Sequence, residues 1–192
     1  MTNTKQDAML QLRELIAGET QLHCPTNDAF LGKFLRARHY NVERSFENIK
    51  NYFKVRGDWP ELFDRLDPDS VLFDTICREH KLIIGSGKKD PEGRAVTLLN
   101  LGAWNTSICS LNDFFRIGIV YLEHFLLDEE VQANGIVYVM DFKDFGIYHL
   151  TQFTPSVIRR FFRLMQVSTM HTKGLLSSAD KRNISDKQSH CI

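Results

Sequence analysis

With 192 residues and 22.3 kDa, the chain has room for one domain with a substantial core, or a small helical module ahead of a medium one, and not for two large domains. Hydrophobic residues at 43% and charged residues at 25% match ordinary globular usage, which excludes wholesale disorder and fibrous repeats. Lys plus Arg and Asp plus Glu both total 24, so the global positive field of a nucleic-acid binder is absent and charge must be read by segment.

The opening stretch, Met1 to Asp7, carries Lys5 and Asp7 and no apolar run. No later segment approaches the roughly 20 apolar residues of a membrane span, and the expectation is a soluble, cytoplasmic protein. Cys24, Cys77, Cys109 and Cys191 are far apart and form no C-x-x-C pair, so they read as buried thiols before zinc ligands or a disulfide framework.

Up to about residue 79 the pattern is helical. Leu10, Leu12, Leu15 and Ile16 mark a first helix that Gly18 ends. Asn27 can cap a second, whose Phe30, Leu31, Phe34 and Leu35 make one apolar stripe. Asn41 can cap a third through Val42, Phe46, Ile49 and Phe53, with Gly57 at its stop. Asp67-Pro68 has the form of a further start, a cap followed by proline at the first helical position. Residues 1–79 thus read as an antiparallel helical module.

At Lys81 the texture changes. Leu82-Ile83-Ile84 and Ala95 to Leu99 are β-prone runs on either side of the turn-forming Asp90-Pro91-Glu92-Gly93, which predicts a strand pair. Ser110 to Asp113 loosely fits a capping box, and the helix it opens is apolar on most of its circumference. After Asn134-Gly135, the run Ile136 to Met140 ending at Asp141 reads as a central parallel strand, and Thr154-Pro155 opens another helix. From Val167 to Ile192 only 8 of 26 residues are hydrophobic, against 10 of 16 between Asn112 and Leu127, so a disordered tail is expected and the parallel sheet reads as unfinished. The fold class is α/β, or α+β overall. Its division is a helical module over 1–79, an incomplete βαβ domain with a mostly parallel sheet over 80–166, and a divergent tail over 167–192.

Catalytic readings find little support. Gly85-Ser86-Gly87-Lys88-Lys89 lacks the Walker spacing and the following helix, and reads as a hairpin turn. Asp141 and Asp144 lie where α/β enzymes place acids, but no glycine-rich fingerprint accompanies them. The seven histidines never take metal-ligand spacing, and no serine sits in a G-x-S-x-G elbow. The reading is a protein without catalytic residues, metal or cofactor.

Two other features stand out. Phe114, Phe115, Ile117, Ile119, Val120, Leu122, Phe125 and Leu126 cover more of one helix than a single packing face needs. Either protein core covers both sides, or one side lines a cavity for an apolar ligand with Gly118 leaving room, and periodicity does not choose. Between Asp28 and Arg56 lie seven basic and three acidic residues, with a second basic cluster at Arg159, Arg160 and Arg163. That distribution fits a solvated face or an anionic membrane surface. The acidic stretches from Glu61 to Glu79 and from Asp128 to Asp144 argue against nucleic acid.

Phe30 to Tyr40, then Asn51 to Arg56 ahead of Pro60-Glu61, resembles the N-terminal helical module of the CRAL-TRIO family, in its branch of tocopherol and retinaldehyde carriers. Asp90 to Arg94, Asn134 to Ile136, Met140-Asp141 and Phe153 to Ser156 resemble the start of that family's lipid-binding domain. The resemblance, over about residues 8 to 166, implies a non-enzymatic carrier that encloses one hydrophobic molecule and exchanges it at membranes, peripherally and with help from phosphoinositides. It places Phe115, Gly118, Leu122, Ile136, Met140, Phe145 and Ile147 at ligand-lining positions, and Arg56, with Lys54 on the same basic helix, at phosphoinositide contact. Gly118 and Leu122 replace small polar pocket residues of the tocopherol carriers, which leaves the ligand class open among tocopherol, retinoid and phosphoinositide-like lipids. The polar ending reads as a truncated or alternatively spliced form. The alternative is an interaction protein that uses its basic helical face on membranes or partners without carrying a ligand.

Overall fold

The structure, a computed structural model, describes residues 5–67, 69–167 and 172–177. Three helices come first: α1 (Lys5–Gly18), α2 (Asp28–Ala37) and α3 (Val42–Asp58). Asn27 and Asn41 cap α2 and α3 as their side-chain oxygens accept the backbone N–H of Phe30 (2.9 Å) and Arg44 (2.8 Å). Their apolar stripes meet in a core of Leu12, Ile16, Leu31, Phe34, Leu35 and Ile49. Leu10 and Leu15 of α1 face outward instead.

Beyond α3 the chain departs from the expected pattern. A one-turn helix α4 (Pro60–Phe63) uses Pro60 at its first position, and a π-helical turn spans Asp74–Glu79. No helix opens at Asp67. Its carboxylate accepts the Ser70 hydroxyl (2.7 and 2.8 Å), a local turn that competes with helix initiation. Val55, Leu62 and Ile76 join the core beneath the sheet, so the division between the two apolar cores falls inside α3.

The sheet has strand order β1-β2-β3-β4. β1 (Ile83–Lys89) pairs antiparallel with β2 (Ala95–Asn100), which pairs parallel with β3 (Ile136–Asp141). The turn between β1 and β2 is Asp90 to Gly93, and Gly85 to Lys89 lies within β1, where the register shifts. The expected hairpin turn at those glycines therefore belongs five residues further on. α5 (Leu111–Phe125) opens on the predicted capping box, Ser110 Oγ accepting Asp113 N–H (3.1 Å) and the Asp113 carboxylate accepting Ser110 N–H (3.2 Å). Short helices α6 (Glu129–Asn134) and α7 (Ile147–Gln152), which periodicity over six residues does not reveal, precede α8 (Pro155–Val167).

The sheet does not stop at β3. β4 (Thr172–Ser177) pairs parallel with it, so the sheet runs one strand past residue 166, where the sequence pattern ends it. Thr172-Lys173-Gly174-Leu175-Leu176-Ser177 is too short and too interrupted to signal a strand by composition, and parallel pairing with β3 after the α8 crossover supplies what propensity does not. The remainder of the expected tail, from 178 on, lies outside the described residues.

Candidate functional site

The apolar surplus of α5 is consumed on two sides. Phe114, Phe115, Ile117 and Ile119 are buried, with α4 and the segment carrying Phe63, Leu66 and Val71 on one side and the sheet on the other. Between α5 and the sheet remains an apolar groove. Its floor is Ile83 of β1, Thr97 and Leu99 of β2 and Tyr138 of β3. Its roof is α5 through Phe115, Gly118 and Leu122, and Phe161 and Leu164 of α8 form a side wall. Strand alternation builds the floor: in β2, Ala95, Thr97 and Leu99 are buried while their neighbours are half-exposed.

The groove encloses about 30 Å³, and a Cβ added at Gly118 would meet nothing within 4 Å. Along its wall Phe115 packs against Phe161, ring centroids 6.1 Å apart. No charged side chain lines it. Burial pushes the Tyr138 phenol well above its ordinary range, so that hydroxyl stays protonated.

Of the seven residues named by resemblance as ligand-lining, Phe115, Gly118 and Leu122 meet in this groove. Ile136 and Met140 are buried in the adjoining core without lining it. Phe145 stacks on His149 (4.6 Å) and packs against Phe153, while Ile147 on α7 is 81% exposed. His149 joins α7 to the core, its Nδ1 accepting Gly146 N–H (3.1 Å) and its Nε2 lying 2.9 Å from the Trp104 carbonyl. Thr97, Tyr138, Phe161 and Leu164 were not singled out as lining residues from sequence. The period-2 pattern of β2 carried the only available signal for Thr97.

The two named basic residues are engaged in structure. Lys54 pairs with Asp58 (3.2 Å), one turn on. Arg56 pairs with Glu123 of α5 (2.5 Å) and lies over the rings of Tyr52 (4.0 Å) and Phe63 (4.4 Å), which bolts α3 to α5. Tyr52 beside it is pushed up to about 12 by burial, with the Glu123 charge adding and Arg56 subtracting. A second basic cluster lies nearby: Arg38, Arg44 and Arg163 converge with Glu47, Asn48, Asn51 and Val55 on a cleft of about 290 Å³ beside α3 and α8, with Arg163 also 3.4 Å from Asp58. Burial lowers the Arg38 pKa, and the Arg44 charge adds to that. Asn48 is 5% exposed and its Nδ2 has no hydrogen-bond partner. Arg163 is far from the first two in sequence, so only the α3–α8 contact reveals the cluster.

Cys109 is buried, Cys24 and Cys77 are half-buried free thiols raised by desolvation, and Cys191 lies outside the described residues. Among the described residues no group of three His, Cys, Asp or Glu could hold a metal, and no helix is long and apolar enough to cross a membrane. Asp141 accepts the backbone N–H of Lys143 (2.9 Å), a loop role.

A helical module running into a mixed sheet, with an uncharged groove under a buried helix, defines an α/β protein. Residues 79–173 match the CRAL/TRIO domain, and the chain belongs to that family. It is 30% identical over 156 residues to the human alpha-tocopherol transfer protein-like, covering 81% of this chain and 45% of that protein. Clavesin-1 of Xenopus laevis is 28% identical over 158 residues, with 82% and 47% coverage, and clavesin-2 of Rattus norvegicus 31% identical over 139, with 70% and 41%. The chain spans less than half the length of these relatives.

Proposed function

We propose that the chain binds a hydrophobic lipid between α5 and the sheet and passes it between membranes without catalysing a reaction on it. The observation that carries this reading is the uncharged groove centred on Gly118, where a buried helix leaves space beside a strand floor. Membership of a family whose relatives include one named for tocopherol transfer supports it. Ligand sites for small molecules span about 300–1,000 Å³, so a space of about 30 Å³ is a closed form, and loading requires Phe161 to part from Phe115. The test is to incubate purified protein with a cell lipid extract, re-isolate it and measure retained small molecules by mass spectrometry. A hydrophobic compound at near-stoichiometric amount is expected in wild type and absent in Gly118→Leu, which fills the groove; clean protein in both cases defeats the reading.

A second reading draws on the cleft of Arg38, Arg44 and Arg163, whose three guanidinium groups and unpaired Asn48 amide suit a phosphorylated headgroup. Here the chain docks on phosphoinositide-bearing membranes, with or without a lipid inside. Sedimentation with phosphoinositide vesicles separates the two, because Arg44→Glu, at an exposed position remote from the groove lining, weakens docking and leaves the groove intact. Arg56→Glu is the wrong probe, since it breaks the bolt to Glu123.

A further inference from the structure

Thr97 poses a question that packing alone does not answer. It sits mid-strand on the buried face of β2, 1% exposed, and its Oγ1 has no hydrogen-bond partner. A buried hydroxyl left without a partner is disfavoured, and valine would fill the same β-branched shape without that cost. Its surroundings favour an incoming partner. Across β1 the register neighbour is Gly85, whose missing side chain leaves room for the Tyr121 ring of α5, 2.8 Å from where a Cβ would stand, and across β3 it is Tyr138, whose phenol shares the same face. Gly118 of α5 lines the same groove, with open space where a Cβ would be. Two hydroxyl-bearing residues therefore adjoin on the floor of an uncharged groove that Gly118 also lines, while the third hydroxyl of the lining, that of Tyr121, is engaged with Cys77.

We propose that Thr97 Oγ1 is the polar anchor of the ligand site, forming one hydrogen bond to a neutral oxygen at one end of an apolar guest, with the Tyr138 hydroxyl beside it as a second contact. This rests on the carrier reading above and adds its specificity. The guest is an alcohol, aldehyde or ketone of a long hydrocarbon. A carboxylate or phosphate ester is disfavoured at this position, because the lining holds no cation to offset the burial of a negative charge. A pure hydrocarbon is disfavoured because it leaves the Thr97 hydroxyl unpaired. The enclosed space fits the oxygen end alone, and the tail is admitted where Phe115 and Phe161 meet.

The test uses the full chain and three probes of one chain length, hexadecanol, hexadecane and hexadecanoic acid, supplied together in phosphatidylcholine vesicles. After re-isolation, retained probes are quantified by mass spectrometry for wild type, Thr97→Val, Thr97→Ser and Thr97→Ala. Comparing each variant's alcohol-to-hydrocarbon ratio with that of wild type cancels differences in how readily the probes leave the vesicle. The ratio should fall about tenfold in Thr97→Val while hexadecane is still retained, which also reports an intact fold. Serine and alanine form a second matched pair, both smaller than threonine; serine should keep the preference and alanine lose it. A ratio unchanged in Thr97→Val, a preference lost equally in serine and alanine, or hexadecanoic acid as the best-retained probe would overturn the anchor while leaving the carrier reading standing. Retention of none of the probes by any form overturns both.

Discussion

Gly118 stands mid-helix in α5 and lines the groove proposed to hold the lipid. Glycine in the middle of a helix costs about 1 kcal/mol relative to alanine, and in α5 nothing within 4 Å would resist the added methyl group. Gly118→Ala should therefore stabilise the protein by about 1 kcal/mol, read as a rise in thermal midpoint of about 2–4 °C. The same methyl group should lower lipid retention, because it occupies the space beside Thr97. Circular dichroism melts and mass spectrometry on one preparation check both halves, and an Ala variant that is stabilised yet retains lipid normally would show that the groove lies elsewhere. Gly102 illustrates the opposite constraint. A Cβ there would fall 1.7 Å from the Lys143 carbonyl oxygen, so the loop leaving β2 can approach the end of β3 only without a side chain.

At the scale of elements, legibility followed the strength of local chemistry. The caps at Asn27, Asn41 and Ser110 were readable because a side-chain oxygen three residues ahead of an orphan N–H is a local device. The β1–β2 turn was readable for the same reason: Asp90 accepts the N–H of Glu92 and Arg94 (both 3.0 Å) and pairs with the Arg94 guanidinium (2.5 Å), while Gly93 takes φ +75°. β4 and α7 were not, because tertiary pairing decides them. The groove was half legible, since the α5 surplus showed while the strand floor beneath it depended on register. The Asp90 turn carries a pH signature. Burial opposes ionisation of Asp90, but its hydrogen bonds and the Arg94 charge outweigh burial and hold its pKa below the ordinary value. A depressed folded-state pKa gives stability that is complete above the unfolded value, near pH 4, and is lost as pH falls through the folded one. Asp90→Asn should therefore lower the urea midpoint at pH 7 by an amount equivalent to about 1–2 kcal/mol, and the gap to wild type should narrow as pH falls from 5 towards 2. A gap that stays constant over that range would mean the carboxylate charge contributes nothing.

Across the whole molecule, the helical module and the sheet are joined by ion pairs as well as by apolar packing, and this bears on how a guest enters. α8 presents Phe161 and Leu164 to the groove, leaves Ile158 and Phe162 substantially exposed, and is tied to the preceding helices by polar contacts. Arg160 pairs with Glu61, Arg163 reaches Asp58 at 3.4 Å, and both guanidinium groups lie just over 5 Å from the centre of the Trp59 ring. Part-exposed pairs of this kind contribute about 0–1 kcal/mol each and weaken as salt rises. If α8 is the wall that swings to admit a lipid, breaking these pairs lies on the path to the open form. Uptake of hexadecanol from uncharged phosphatidylcholine vesicles should then accelerate about two- to fivefold as salt is raised from low to half-molar concentration, since each kcal/mol removed from the opening step is worth about fivefold. Glu61→Gln should be faster at low salt and respond less to added salt. Neutral vesicles are essential here, because they remove electrostatic steering at the membrane as a rival source of the salt effect. An uptake rate that is flat in salt, or a Glu61→Gln variant indistinguishable from wild type, would place the entrance away from α8 and leave the Phe115–Phe161 contact as ordinary core.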